Sequence, residues 1–408
     1  MEPRSWRLTP ATAVLALAAA MLLYACNDGE IVAGWWDAAD PAHPDGQGRA
    51  DAWEPSQPSN DARAPDVPEG AAHDAGAGVA AGVGDSAAAG DDASPLPRDH
   101  ARCGWIGAGD TAGYAAFAAR PSFYDVIHPD WYALGTDSVS VRRLTGADDS
   151  TVLAAAAASQ VQVWPLVAGV DDVTLVRTLI NDPALRSQHV ANLVDLAVSK
   201  GYAGLDMDYE HLWDAADKAP FAAFVHELSV AMHAAGKRLS AAVPALWTSS
   251  SSWDMASLSQ SLDVLHLMGY DFHGIGSPHG GPTAPLGWIQ AVCGYAASLG
   301  HPERFVLGLP NYGLTPSFYC ALVDCAAECT GPIATSTDEM QACPFNEGDW
   351  AAGRSLSCDS PHGRLYFDDT QSLEEKVQAA RAHGLGGVTY WTVGSEPSGF
   401  FAMIQNYY

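Results

Sequence analysis

The stretch Tyr202-Ala-Gly-Leu-Asp206-Met-Asp208-Tyr-Glu210 places three acidic side chains at every second position of a strand-like run. Side chains alternate between the two faces of a strand, so Asp206, Asp208 and Glu210 share one face, with neighbours about 6.5 Å apart. Repulsion between the charges, together with burial, should raise the pKa of at least one of them. A carboxyl group that stays protonated near neutral pH can act as a general acid, so the stretch predicts an acid catalyst on a β-strand.

The opposite face of the same run is apolar. Leu205, Met207 and Tyr209 alternate with the acids, which is typical of a strand buried in a barrel beneath outer helices. Taken alone, the triplet is also compatible with a solvated acidic edge strand or with a divalent-metal site. The surrounding sequence is needed to choose among these interpretations.

Residues 101–408 alternate short apolar runs with helical stretches, clearest where Phe221, Phe224 and Leu228 recur at helical spacing. Repeated strand and helix units predict a parallel sheet, and eight units predict a (β/α)8 TIM barrel of the α/β class. Chemistry in such barrels lies at the carboxyl ends of the strands, and Glu210 ends the fourth. The candidate strands are 103–107, 124–134, 161–167, 204–210, 238–244, 264–271, 305–312 and 387–392.

Five of the eight cysteines crowd into residues 314–365, between the seventh and eighth candidate strands: Cys320, Cys325, Cys329, Cys343 and Cys358. Zinc is the competing interpretation, but Cys-x-x-Cys pairs and suitably spaced histidines do not accompany them. We therefore expect a disulfide-rich insertion with at least two bridges, made in an oxidising compartment. The insertion would stand at the catalytic mouth of the barrel and form one wall of a groove.

The N-terminal residues predict export. Basic residues precede an apolar run over 11–25, as in a signal peptide, and Leu23-Tyr24-Ala25-Cys26 resembles a bacterial lipobox. The segment 1–26 therefore predicts lipidation of Cys26 and a membrane-anchored lipoprotein of the bacterial cell envelope, with plain secretion as the alternative. Residues 27–100 are rich in Ala, Gly, Asp and Pro and predict a disordered tether before the barrel at 101–408.

The acidic motif resembles the D-x-x-D-x-D-x-E signature of glycoside hydrolase family 18, with Ala203 in place of the first Asp. Further matches follow in the family's order over 267–274, 306–313 and 386–391, and together they cover nearly all of 101–408. The segments 129–132 and 281–288 are most similar to the cortex-lytic and related bacterial branch. The resemblance implies a glycosidase. Because Ala203 starts the strand and is not the acid catalyst, it should affect local packing or the pKa values of nearby acids more than catalytic activity.

The resemblance implies substrate-assisted hydrolysis with retention. Glu210 would protonate the glycosidic oxygen and later activate water, while the acetamido oxygen of the substrate attacks the anomeric carbon. Asp208 would hydrogen-bond the acetamido N–H, with Asp206 behind it sharing a proton. Tyr270 would donate its hydroxyl to the acetamido oxygen, and Trp391 would form the apolar floor under the sugar.

Four more residues are candidate substrate contacts near strand ends. Met268 and Asp271 flank Tyr270, and Trp131 and Tyr312 lie on the second and seventh candidate strands. Each of these two aromatic side chains could equally be a packing residue, since large rings are also common in barrel cores.

The implied substrate is a β-1,4-linked N-acetylglucosamine polymer of the chitin or peptidoglycan type, cleaved by a monomer that needs no metal and no cofactor. The alternatives are a non-catalytic glycan-binding lipoprotein on the same barrel and an endo-β-N-acetylglucosaminidase acting on N-glycans. Retention of all three carboxylates favours an enzyme. The formal net charge of −28 and the lack of a basic patch argue against nucleic-acid binding.

Overall fold

The computed structural model describes residues 102–169, 172–277, 280–336 and 353–408. The predicted signal peptide, Cys26, the tether and Cys343 lie outside these residues. Within the described ranges, the helices all fall short of the length and apolar character that crossing a membrane requires.

Eight parallel strands form the barrel, in the order β1-β2-β5-β6-β7-β8-β9-β15, and a parallel bridge from Arg102 to Val388 joins the last strand to the first. The predicted TIM barrel is therefore confirmed. The strands are β1 (Cys103–Ile106), β2 (Val126–Leu134), β3 (Val141–Arg143), β4 (Gln162–Val163), β5 (Leu166–Ala168), β6 (Gly204–Asp208), β7 (Arg238–Pro244), β8 (Val264–Met268), β9 (Phe305–Pro310), β10 (Tyr312–Thr315), β11 (Phe318–Ala321), β12 (Ala334–Ser336), β13 (Ser355–Ser360), β14 (Gly363–Phe367) and β15 (Gly387–Trp391).

Helices cover the outside of the barrel, and several begin at an Asp whose side chain accepts backbone N–H groups of the first turn, as Asp110, Asp149 and Asp182 do. The helices are α1 (Thr111–Ala119), α2 (Ser150–Ser159), α3 (Val173–Asn181), α4 (Pro183–Lys200), α5 (Lys218–Ala234), α6 (Met255–Ser261), α7 (Leu286–Ser298), α8 (Leu322–Cys325), α9 (Thr370–Ala382) and α10 (Phe400–Gln405).

The barrel interior is packed in layers. Its lowest layer is apolar and contains Cys103, Val126, Trp164 and Val306, with Ala203 packed against it. Ala203 occupies the position where the resembled signature has its first Asp, and a small apolar side chain suits a layer made of buried apolar neighbours. The polar residues of the interior lie above this layer, toward the carboxyl ends of the strands.

An antiparallel sheet of five strands, in the order β11-β10-β14-β13-β12, is inserted between β9 and β15. Two disulfides staple it, one between Cys320 and Cys325 and one between Cys329 and Cys358. The prediction of a disulfide-rich insertion between the seventh and eighth barrel strands is confirmed.

Candidate active site

The acid row, which we define as Asp206, Asp208 and Glu210, begins on β6 and continues past its end. Leu205, Met207 and Tyr209 pack in the outer core between strands and helices, so the acids take the inner face. The expected strand 204–210 is two residues too long, because β6 ends at Asp208. Glu210 therefore projects from the loop that follows.

Asp206 is fully buried and is held by two donors, one from the neighbouring strand β7 and one from β1 across the barrel. The indole Nε1 of Trp105 donates to its Oδ2 at 2.8 Å, and the hydroxyl of Ser240 donates to its Oδ1 at 2.6 Å. Each carboxylate oxygen thus accepts a hydrogen bond without contact with water. Two donated hydrogen bonds fix the orientation of this side chain beneath Asp208.

Two buried histidines flank Asp206. His128 Nδ1 lies 3.7 Å from Oδ2, and His266 Nε2 lies 3.8 Å from Oδ1. One ligand atom from each of these three residues lies within 4.8 Å of the others, so the trio could offer three ligands to a metal ion. However, both oxygens of Asp206 already accept hydrogen bonds, and His128 Nδ1 donates to the Trp164 carbonyl at 3.0 Å. We interpret the two histidines as buried packing around Asp206 that supports the acid row.

Asp208 is the crowded member of the row. Burial is the largest effect that raises its pKa well above the ordinary value, and the charge of Glu210, a hydrogen bond with Glu210, and the charges of Asp206 and Asp130 raise it further. Its Oδ1 is buried and has no hydrogen-bond partner among the described residues. The protonated form of Asp208 is therefore favoured, and a proton can be shared across its hydrogen bond with Glu210.

Tyr270 follows the end of β8, and its ring lies against β9. A Cβ at Gly308 would come within 3.2 Å of the Tyr270 ring and 2.6 Å of the Leu267 carbonyl oxygen, so glycine is needed for this close approach. Burial, followed by the charge of Glu210, raises the pKa of Tyr270 well above its ordinary value. Its hydroxyl therefore stays protonated and is available as a donor.

Asp271 is the neighbour of Tyr270 and has a left-handed backbone, with φ 59°. The hydroxyl of Tyr312 donates a hydrogen bond to its Oδ1. Burial raises the pKa of Asp271 to about 7, whereas the hydrogen bond from Tyr312 opposes this rise. Tyr312 is itself buried, so it positions Asp271 and presents little surface of its own to a ligand.

An aromatic and aliphatic cluster lines the mouth of the barrel beside the acid row. The Trp391 ring centroid lies 6.4 Å from that of Trp105, and Tyr319 of the insertion stacks on Tyr312 at 5.0 Å. The insertion therefore contacts the site. The cluster contains Trp105, Leu166, Ala168, Ala242, Met268, Tyr270, Tyr312, Leu314, Tyr319 and Trp391.

Trp131 was predicted from the sequence as a substrate contact, and the structure contradicts that prediction. It is fully buried in the outer core, and its Nε1 donates to the hydroxyl of Tyr114 at 3.1 Å. Trp131 follows Asp130, which is in register with the inward-facing Leu166, so strand alternation turns Trp131 to the outer face, where it packs under helices and does not line the mouth.

Sequence reasoning missed three residues that complete the site, namely Trp105, Ser240 and Tyr319. Trp105 and Ser240 are separated from Asp206 by 101 and 34 positions. Their inward positions on β1 and β7 were the available signal, because those strands were predicted and side chains alternate along a strand. Tyr319 lies in the insertion, where the resemblance to known sequences is weakest.

The chain was compared with known proteins. The family model "Glycosyl hydrolases family 18" matches residues 115–396. The chain is 26% identical over 250 residues to "Putative sporulation-specific glycosylase YdhD" of Bacillus subtilis, covering 57% of each chain, so it spans just over half of that relative. It is 27% identical over 269 residues to a "Class V chitinase" of Arabidopsis thaliana, covering 56% of this chain and 67% of the other.

The structure of a chitinase from Chromobacterium violaceum superposes with a TM-score of 0.65 at 21% identity, covering 74% of this chain and 97% of that one. The structure of a spore cortex-lytic enzyme, SleL from Bacillus cereus, superposes with a TM-score of 0.63 at 16% identity, covering 75% of this chain and 74% of that one. At these identities the likeness establishes the fold of the barrel.

Proposed function

Because the chain belongs to glycosyl hydrolase family 18 and is a glycosidase, we propose that it cleaves β-1,4-linked N-acetylglucosamine polymers of the chitin type, with retention, using the 2-acetamido group of the substrate. The observation that carries this proposal is the acid row, in which burial and the neighbouring carboxylates favour a proton on Asp208, in hydrogen-bond contact with Glu210. A proton shared at that position is available to a leaving glycosidic oxygen.

Each residue of the row has its own task in this mechanism. Glu210 donates a proton to the glycosidic oxygen as the bond to the anomeric carbon breaks, and it later takes a proton from the attacking water. Once the shared proton has moved to Glu210, the ionised Asp208 accepts a hydrogen bond from the acetamido N–H and stabilises the positive charge that develops on the closing oxazolinium ring. Asp206, fixed by Trp105 and Ser240, supports Asp208 from below.

The nucleophile in this proposal is the acetamido oxygen of the substrate. Asp208 lies beside Glu210 on the same row, so it is not placed across the sugar ring from the acid. Asp271 accepts the hydrogen bond of Tyr312, and its pKa of about 7 leaves it largely protonated in mildly acidic solution, which makes it a poor nucleophile there. Tyr270 is placed to orient the acetamido oxygen through its protonated hydroxyl.

The charges at the mouth favour a neutral glycan. Five acidic residues lie in or beside it, namely Asp130, Asp206, Asp208, Glu210 and Asp271. Ionisation of Asp130 and Asp271 above about pH 7 adds negative charge there, to a chain whose formal charge is −28. Chitin is uncharged, whereas each muramic acid unit of peptidoglycan carries either a free lactyl carboxylate or an anionic peptide in amide linkage to it. Charges of like sign disfavour binding, so chitin-type oligomers are the better match.

A substrate pair tests the mechanism. The enzyme should hydrolyse aryl glycosides of N-acetylated chitin oligomers, should release the β-anomer first in early NMR spectra, and should be inhibited by a thiazoline mimic of the ring-closed intermediate. Glucose oligomers of equal length lack the acetamido group and should not react. Comparable rates on both series, or early release of the α-anomer, would exclude substrate assistance. Binding of chitin oligomers without any cleavage would favour a glycan-binding role instead.

We also propose that lipidated Cys26 holds the enzyme at the bacterial envelope as a monomer, with 27–100 as its spacer. The lipobox-like sequence and the acidic composition of the spacer support this location. Cys26→Ala should move the protein from the membrane fraction to the soluble fraction of its bacterial host. A wild-type protein that fractionates as soluble would contradict the anchor.

A further inference from the structure

Asp130 is a buried carboxyl group for which the mechanism above has no use. It lies on β2 in register with Leu166 of β5, which is in turn in register with Asp206. Residues in register on parallel strands project to the same face, so Asp130 points to the interior side that carries the acid row. Its exposed fraction is 2%, which removes it from bulk water.

The Oδ1 atom of Asp130 is buried and has no hydrogen-bond partner among the described residues. An orphaned buried polar atom calls for a specific explanation, because such groups are uncommon in folded proteins. Burial raises the pKa of Asp130 to about 7. The positive charge of the exposed Arg142 opposes this rise, but its effect is smaller than that of burial. It interacts electrostatically with Tyr114 of α1, Arg142 of β3 and Asp208 of β6. His128 precedes it by two positions on β2, and Asp206 of β6 lies beyond β5.

We propose that Asp130 is a fourth member of the acid row, a positioning residue whose negative charge keeps the shared proton on Asp208 and Glu210 as the solution becomes alkaline. This inference deepens the proposed function and rests on Glu210 being the general acid.

The physical basis is the like charge of Asp130 beside Asp208. When Asp130 is ionised, its charge is one of the causes that raise the pKa of Asp208. Because Asp208 and Glu210 are coupled through a hydrogen bond, the same charge opposes loss of the proton that the general acid needs. Asp130 is mostly neutral below about pH 7 and ionised above it, so its effect falls on the alkaline side of the activity profile.

The test is the pH profile of kcat/KM for Asp130→Asn, a variant of the same shape without the charge. The alkaline limb should move to lower pH by about half a unit or more. Asp195→Asn is the matched control, because Asp195 is exposed on α4, away from the mouth, and its loss should leave the limb in place. Asp130→Ser serves the same comparison if the Asn variant does not fold.

An unmoved alkaline limb in a folded Asp130 variant would overturn the proposal, as would an equal shift in the Asp195 control. A second measurement does not depend on activity. The raised pKa of Asp130 makes its ionisation cost stability from about pH 4 up to about pH 7, so Asp130→Asn should melt a few degrees above wild type at pH 8 and less so at pH 4.

The two measurements separate the possible failures. If the wild-type enzyme cleaves no N-acetylated oligomer, the proposed function fails, while the melting comparison still decides whether Asp130 is a buried titrating acid. A melting difference that does not change with pH would overturn the inference about Asp130 even in an active enzyme.

Discussion

Asp206 and Asp208 are two positions apart on one strand, yet their oxygens have different surroundings. Both oxygens of Asp206 accept hydrogen bonds, from Trp105 and from Ser240, whereas the Oδ1 of Asp208 has no partner among the described residues. Donated hydrogen bonds favour a carboxylate, and crowding by other acids favours a protonated carboxyl. The local environment therefore gives identical side chains different tasks.

Replacing Glu210 by Gln should leave the fold and glycan binding intact and should lower kcat by a factor on the order of 10²–10⁴, because the general acid is lost. Steady-state kinetics on chitin oligomers measures the effect. Glu303→Gln is the control, since Glu303 is exposed and lies before β9 at the opposite end of the barrel. Turnover within a few-fold of wild type in Glu210→Gln would remove Glu210 from its assigned role.

Tyr312→Phe removes the hydroxyl that donates to Asp271. This hydrogen bond lowers the pKa of Asp271, so its loss should raise that pKa above about 7 and extend the neutral form to higher pH. Asp271 is a candidate substrate contact, so loss of the group that orients it should raise KM for chitin oligomers about tenfold, the size of one hydrogen bond to the substrate. Tyr295→Phe on α7 is the control. An unchanged KM and pH profile would show that Asp271 does not depend on Tyr312.

Local motifs explain which site residues could be predicted from sequence. Asp206, Asp208, Met268, Tyr270 and Trp391 all lie at the carboxyl ends of barrel strands, because strand alternation and the barrel fold determine their places. Ser240 lies in register with Asp206 on the neighbouring strand β7, whereas Trp105 reaches Asp206 across the barrel from β1, a contact that only the closed barrel creates. Trp131 was misplaced because it was chosen for its position near a strand end, and its place after the inward-facing Asp130 turns it to the outer core.

Elements of the barrel were easier to predict than elements of the insertion. Buried parallel strands are continuous apolar runs, and helices between them show helical spacing. The candidate strand 161–167 is divided into β4 and β5 around Pro165, which has no backbone N–H to donate. The insertion contains short polar strands and cysteines. The order of its strands in the sheet depends on tertiary contacts and disulfide bridges, which the sequence pattern does not show.

The two bridges of the insertion should differ in their effect on stability. Cys329 and Cys358 enclose a sequence separation of 29 residues, whereas Cys320 and Cys325 are separated by 5. In the chain-entropy model the longer loop is worth about 3.6 kcal/mol and the shorter about 2 kcal/mol. Denaturant unfolding of the paired Cys→Ser variants should therefore show the larger loss for Cys329 and Cys358. The reverse order would mean that native contacts, and not loop closure, dominate.

At the scale of the whole molecule, charge should govern which glycan reaches the site. The chain has a formal charge of −28, and acidic residues surround the mouth, so an anionic glycan is repelled before it docks. We expect chitin oligomers to be cleaved at least about tenfold faster than peptidoglycan oligomers of equal length in dilute buffer, a difference of about 1.4 kcal/mol. Rates with purified oligomers measure this preference.

Ionic strength separates charge from shape in that preference. The Debye length falls from about 30 Å at 0.01 M salt to about 10 Å at 0.1 M, so added salt should narrow the difference by speeding cleavage of the anionic oligomer. Amidation of the muramic carboxylates removes the charge with little change in size, and it should narrow the difference already in dilute buffer. If neither salt nor amidation changes the ratio of rates, the preference comes from the shape of the groove, to which the disulfide-stapled insertion contributes a wall through Tyr319.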